Sequence, residues 1–277
     1  MYIVVYVYMN GNFYKKKSLG QNFLKSKKFV GDMVRVAEIS SKDTVLEIGP
    51  GKGILTAKLL ESAGRVVAVE KDRRLTPKLK EKFGLEIKKG KIEIVGGDAL
   101  EISVTKLGLE NLNYKIVANI PYYISGAFLE KFLSENIQPE RVIVMLQKEV
   151  AKRIVAVDGK ESILSISVKA YGLPKYISTV KRNNFSPAPK VDSAILQISD
   201  ISRKNFEKID EKRFFDLLRA GFSHKRKKLA GNLANFAGKD KVEEILKLGK
   251  LNINCRAENL KLEDWLFLAS RMSRPVE

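Results

Sequence analysis

The sequence predicts an α/β fold, with a doubly wound, mostly parallel sheet followed by a small all-helical C-terminal domain. Three observations lead there. Strand-length apolar runs alternate with helix-spaced segments from Thr44 to about Ala156. A glycine-rich turn, Gly49-Pro50-Gly51-Lys52-Gly53, separates the first such run from the helical segment behind it. From about Ile201 the strand-like runs stop and only helical spacing remains. Alternation of this kind lays successive strands side by side through crossover helices.

Taken in order, Lys27 to Ile39 has the apolar spacing of a helix. Thr44 to Ile48 reads as a strand, Ile54 to Ala63 as a helix, Val66 to Val69 as a second strand and Leu75 to Phe83 as a helix. Ile92 to Val95 is a third strand, ending at Gly96-Gly97-Asp98, and Lys115 to Ala118 a fourth. After Pro121 a helix runs from about Ser125 to Leu133. Val142 to Leu146 is a fifth strand, and Val150 to Ala156 is helical. Ser162 to Ala170, Tyr176 to Val180 and Ala194 to Ile198 are expected to complete the sheet, with a late antiparallel strand. Phe214 to Ala220, Lys228 to Phe236, Val242 to Lys247 and Leu262 to Ala269 are the later helices. The expected organisation is a flexible N-terminal extension over 1–14, the sheet domain over 15–200 and the helical domain over 201–277.

A chain of 277 residues has room for one full α/β domain and a small appendage. Its 44% apolar content is ordinary, but 51 Lys and Arg face 32 Asp and Glu, a net charge of +19. Such an excess repels itself in the folded state and suits a polyanionic partner. The cations are spread over many segments rather than along one amphipathic helix, which favours nucleic acid over a membrane surface. Residues 201–277 hold 18 Lys and Arg against 11 Asp and Glu. A single cysteine, Cys255, excludes an internal disulfide and a Cys-based zinc cluster. A single histidine, His224, argues against a His-rich metal site and a Ser-His-Asp triad. No metal is expected, and the setting is expected to be reducing and cytoplasmic. Met1 to Met9 is apolar but too short for a membrane span and lacks a basic leader, leaving Met9 open as a start.

The turn after the first strand reads Glu47-Ile48-Gly49-Pro50-Gly51-Lys52-Gly53. Glycines let the backbone pass close to a ligand, and the following helix offers amides to an anion. A dinucleotide site needs G-x-G-x-x-G, and Ile54 stands where its last glycine belongs. The E-x-G-x-G form suits the methionine carboxylate of S-adenosylmethionine instead; a bare strand–helix turn is the plain alternative. Glu70 ends the second strand, where a carboxylate accepts ribose hydroxyls, and Asp98 ends the third, where one accepts from an adenine amino group. Each alone is an ordinary strand-end charge. Together they line the crevice in which open α/β sheets bind ligands.

Asn119-Ile120-Pro121-Tyr122 follows the fourth strand. An adenine amino nitrogen has its lone pair delocalised into the ring, so methylating it needs orientation more than a strong base. The Asn119 side-chain oxygen and the Ile120 carbonyl can accept its two N–H hydrogens. Pro121 fixes the turn, and Tyr122 can stack on the purine. A stacked adenine is out of reach, so the base must be flipped or unpaired. Phe185, in Asn183-Asn184-Phe185-Ser186-Pro187-Ala188-Pro189, is a candidate second wall, with a core phenylalanine as the alternative. Lys225, Arg226, Lys227 and Lys228 follow His224 and form a candidate phosphate-binding patch.

These segments, with Ser18 to Leu24, Val69 to Asp72, Gly97 to Leu100, Met145 to Ala151, Pro189 to Ser193 and Ala220 to Ser223, resemble the KsgA-like small-subunit rRNA adenine dimethyltransferases from about Lys17 onward. The resemblance implies a Rossmann-like class I methyltransferase sheet with a helical RNA-binding domain. It implies N6,N6-dimethylation of two adjacent adenosines in the 3′-terminal hairpin loop of small-subunit rRNA, linked to late assembly of the small subunit (the pre-30S particle). It also implies Asn22, Leu24, Gly49, Glu70, Asp98 and Asn119 as donor-binding positions, to which the glycine turn itself adds Gly51. Asn119, Tyr122 and Phe185 are implied at the target base. Asn22 and Leu24 come from the resemblance alone. Nothing demands a dimer, so a monomer is expected.

Three other readings share these features. An antibiotic-resistance enzyme acting on one adenine of large-subunit rRNA would use the same chemistry; the Leu19-Gly20-Gln21 opening and the Phe222 to Lys228 stretch favour the small-subunit enzyme. A non-enzymatic assembly or transcription factor on the same fold can drift at Asn119 and Tyr122, and both are kept here. A DNA adenine methyltransferase would need a target-recognition domain, for which the chain has little room.

Overall fold

The five strands expected between Thr44 and Leu146 all form, and they lie parallel. In the computed structural model residues 22–272 are described. The expected extension over 1–14 and the Ser18 to Gln21 part of the motif lie outside the described residues. The strands are β1 (Phe23–Leu24), β2 (Thr44–Ile48), β3 (Arg65–Glu70), β4 (Ile92–Gly96), β5 (Lys115–Asn119), β6 (Arg141–Gln147), β7 (Leu173–Val180), β8 (Phe185–Ser186) and β9 (Ser193–Ser199). The main sheet has the order β4-β3-β2-β5-β6-β9-β7, and β9 runs antiparallel to both its neighbours. Its inner strands are near-continuous apolar runs because helices cover both faces; in β3 all residues after Arg65 are buried. β1 and β8 form a separate two-stranded ladder that pairs Leu24 with Phe185.

The helices are α1 (Lys27–Val36), α2 (Ile54–Leu60), α3 (Thr76–Lys82), α4 (Gly84–Lys88), α5 (Ser125–Ser134), α6 (Lys148–Val155), α7 (Ile163–Lys169), α8 (Glu211–Gly221), α9 (Leu229–Ala237), α10 (Lys239–Leu248) and α11 (Leu262–Met272). Helix α7 corrects the expectation of a strand over Ser162 to Ala170. Ser162 caps it reciprocally with Ser165: its hydroxyl accepts from the Ser165 N–H at 3.1 Å, while its own N–H donates to Ser165 Oγ at 2.7 Å. Leu164 to Val168 are all buried, so the helix shows no exposed face. Its Leu-Ser-Ile-Ser-Val alternation imitates the two-residue period of a strand.

The chain divides into two compact units, and the division is discontinuous. The first runs through Ala151 and resumes at Leu173–Ile201; the second takes Lys152–Gly172 together with Ser202 onward. Lys152–Gly172 thus groups with the later helices. Within the second unit Tyr171 is buried, stacking on Phe215 with centroids 6.0 Å apart and tilting on Phe206 at 5.2 Å. Trp265 is buried too and closes on Gly221, where a Cβ would meet the indole at 2.4 Å. Among the described residues, no helix is long and apolar enough to cross a membrane.

Candidate active site

Winding outward from β2 in both directions opens a crevice at the carboxyl ends of β2 and β5, the switch point where such sheets hold ligands. A cleft lies there. Asn22, Leu24, Gly49, Gly51, Glu70, Asp98, Asn119, Tyr122 and Phe185 all line it. The expected site residues of the first unit are therefore brought together.

The glycine turn is built for close approach. Gly49 and Gly51 have φ of +70° and +60°, where other residues are strained. A Cβ on Gly51 would stand 2.9 Å from the Phe23 ring. Helix α2 behind the turn is only seven residues long, so the turn amides matter here more than a helix dipole. Glu70, buried at the end of β3, braces them: Oε2 accepts from the Gly51 N–H at 3.0 Å and Oε1 from the Asp72 N–H at 2.8 Å. A carboxylate offers about four acceptor positions, so capacity for two hydroxyls remains. Asp98 accepts from the Leu100 N–H at 3.0 Å and from Lys71 Nζ at 2.5 Å. Burial acts to raise its carboxyl, but Lys71 and the Leu100 amide outweigh that and hold it below the usual carboxylate range.

Across the cleft, Asn119 ends β5, its backbone oxygen 3.8 Å from where a Gly49 Cβ would be. Its Nδ2 donates to the Asn22 carbonyl through a long 3.4 Å hydrogen bond, which commits the amide nitrogen and leaves Oδ1 as the acceptor. Tyr122 opens a short 3-10 turn and its hydroxyl bonds Ser193 Oγ at 2.7 Å. Burial pushes the phenol up from its ordinary value, with the Ser193 bond opposing. Phe185 is 2% exposed and belongs to the core as well as to the cleft wall.

The basic patch belongs to the second unit. Lys225 to Lys228 are exposed in the turn between α8 and α9. Asn232 holds that turn by donating to the carbonyls of Gly221 (2.6 Å) and His224 (3.1 Å), and Lys228 Nζ bonds Asn254 Oδ1 at 2.6 Å.

Some contributors were not singled out from sequence. Phe23 covers Gly51 and carries Lys52 Nζ 5.1 Å above its ring; its place between Asn22 and Leu24 was the available signal. Ser193 closes the Pro189 to Ser193 motif, but it lies 71 residues from Tyr122 and nothing in the sequence signals its bond to that hydroxyl. Glu47 is fully buried in the cleft lining, and neither carboxyl oxygen has a hydrogen-bond partner. Burial pushes its carboxyl up to about 8, and the charge of Glu70 adds to the rise.

S-adenosylmethionine fits this set. Its ribose diol matches the remaining acceptor capacity of Glu70, its adenine amino group matches Asp98, and the buried Glu47 carboxyl offers polar atoms without a partner in the cleft lining. A glycine turn with strand-end carboxylates at the switch point of a doubly wound sheet is the arrangement of a class I methyltransferase, and this chain is of that class. The comparisons narrow the class. The ribosomal RNA adenine dimethylase family matches residues 12–273. A relative in Dehalococcoides mccartyi named ribosomal RNA small subunit methyltransferase A is 40% identical over 91% of this chain and 87% of its own. One of the same name in Fusobacterium nucleatum is 38% identical over 92% and 97%. The chain belongs to the ribosomal RNA adenine dimethylase family. Among solved structures, a dimethyladenosine transferase from Plasmodium falciparum superposes with TM-score 0.73 at 29% identity, covering 89% of this chain and 95% of that one. The 23S rRNA methyltransferase ErmE gives 0.72 at 26%, covering 91% and 99%.

Proposed function

We propose that this protein dimethylates N6 of two adjacent adenosines in the 3′-terminal hairpin loop of small-subunit rRNA, working as a cytoplasmic monomer on the late pre-30S particle. The observation that carries the reading is the Asn119 amide, oriented by Asn22 across the cleft from the glycine turn. Bound S-adenosylmethionine supplies an electrophilic methyl group, and its leaving group is a neutral thioether, so the transfer needs no metal. Glu70 and Asp98 hold the donor's ribose and adenine; Asn22, Leu24, Gly49 and Gly51 shape its seat. Asn119 Oδ1 and the Ile120 carbonyl accept hydrogen bonds from the amino group and turn the nitrogen lone pair toward the methyl; the N–H proton that each new N–C bond displaces is released to water. These bonds strengthen as positive charge develops on nitrogen. Tyr122 and Phe185 sandwich the flipped purine and exclude water. Lys225 to Lys228 bind the RNA backbone.

The large-subunit reading finds its likeness in ErmE at 26% identity, whereas relatives at 38–41% carry small-subunit names. The deciding experiment is transfer of labelled methyl to under-methylated small subunits, large subunits, naked rRNA and DNA, followed by primer extension. Stops at two adjacent adenosines near the 3′ end of small-subunit rRNA are expected. A stop in large-subunit rRNA would overturn the proposal.

A further inference from the structure

The two aromatic walls of the cleft come from segments far apart in the chain, yet each is tied to one of two adjacent residues, Asp192 and Ser193. Ser193 begins β9 with no exposed surface, paired to Gln147 of β6 on one side and Val180 of β7 on the other. Its hydroxyl meets the Tyr122 hydroxyl at 2.7 Å. Asp192, one residue earlier, holds the segment that leads into Phe185. Its Oδ1 accepts from the Arg182 N–H at 3.0 Å, at the head of the 3-10 turn Arg182–Asn184, and its Oδ2 pairs with Lys181 Nζ at 3.2 Å. The Asp192 carbonyl accepts from the Lys148 N–H at 3.0 Å, fastening the strand end to the start of α6.

We propose that Asp192 and Ser193 are positioning residues for the target adenine, setting the separation and tilt of the Tyr122 and Phe185 rings from one rigid strand end. The proposal rests on the functional reading above. A tyrosine ring pivots about its Cα–Cβ bond, and a bond at its far hydroxyl is the most effective place to stop that rotation. A loop phenylalanine is positioned by its backbone instead, and the Asp192 bond to the Arg182 amide acts there. Phe185 also pairs with Leu24 in the β1–β8 ladder, so this wall is fixed from both sides. A purine fits between two rings only at a narrow range of spacings, and a small error in placement lowers the rate more than the affinity.

The test is a double-mutant cycle of Ser193→Ala and Tyr122→Phe, with kcat and KM measured on under-methylated small subunits and with donor affinity and melting temperature as controls. Tyr122→Phe keeps the ring and removes the hydroxyl that Ser193 holds. One neutral hydrogen bond corresponds to a factor of about 2 to 12. Ser193→Ala should lower kcat by that factor with donor affinity unchanged, and should add nothing in the Tyr122→Phe background. Asp192→Ala should lower kcat in both backgrounds, while Asp192→Asn, which keeps an acceptor for the Arg182 amide, should recover most of the loss. Equal losses for Ser193→Ala with and without the tyrosine hydroxyl, or an unchanged kcat, would overturn the inference alone. A wild-type chain that transfers no methyl to small subunits would overturn the functional reading and this inference with it.

Discussion

Replacing Glu70 by glutamine preserves its shape and exposes how the donor seat is held. Both oxygens accept backbone N–H groups, from Gly51 at 3.0 Å and Asp72 at 2.8 Å. An amide has one acceptor oxygen, so Glu70→Gln keeps one of these bonds and turns an NH2 group toward the other N–H. A hydrogen bond to a charged group contributes about 1.5–3 kcal/mol. At about 1.4 kcal/mol per decade that is roughly 10- to 150-fold in the share of molecules whose turn is set to receive the donor, and apparent affinity falls with that share. Glu70→Gln should therefore bind S-adenosylmethionine about 10- to 150-fold more weakly by titration calorimetry, with kcat at saturating donor within a few-fold of wild type. The melting temperature should fall as well, because the turn is braced before any ligand arrives. An affinity within threefold of wild type would refute the bracing role.

Asn119→Ala should lower kcat by at least about 100-fold, the scale of losing one preorganised transition-state hydrogen bond, while filter-binding affinity for rRNA stays unchanged; wild-type turnover would overturn the assignment. Glu47 gives a pH test. The folded chain holds this proton up to about pH 8, well above the ordinary 4.5. It therefore binds more protons than the unfolded chain between those values, and stability declines as pH rises through that window. Glu47→Gln has no proton to lose, so its melting temperature should gain on wild type from pH 5 to 8.5; parallel curves would refute this. Changing Lys225 to Lys228 together to Ala should weaken rRNA binding and flatten the slope of log K against log salt by about 3. An unchanged slope would remove those residues from the RNA contact.

The parallel core was legible because each strand is a short β-branched run between turn residues, and Glu70 and Asp98 sit at strand ends that pattern alone locates. The α7 segment was not, since a helix buried on all sides has no polar face to set its period. The glycine turn was readable as a tight strand–helix turn, but the bonds from Glu70 back to it were not, because they depend on β2 and β3 lying side by side. For the same reason the Tyr122–Ser193 bond had no signature: nothing local in either segment encodes a partner 71 residues away. Phe185 is open in sequence between core and wall; it is buried in the core and lines the cleft.

The interleaved division of the chain bears on how the protein is made. Helix α7 and Tyr171 are synthesised well before α8 to α11, yet their apolar surface is covered by Phe206 and Phe215. While the ribosome adds the intervening residues, that surface waits without its cover, and a nascent chain stopped near residue 200 would display it permanently. A truncation meant to isolate the sheet would thus yield a sticky fragment, and limited removal of the C-terminal helices would be felt as aggregation before it was felt as lost RNA binding.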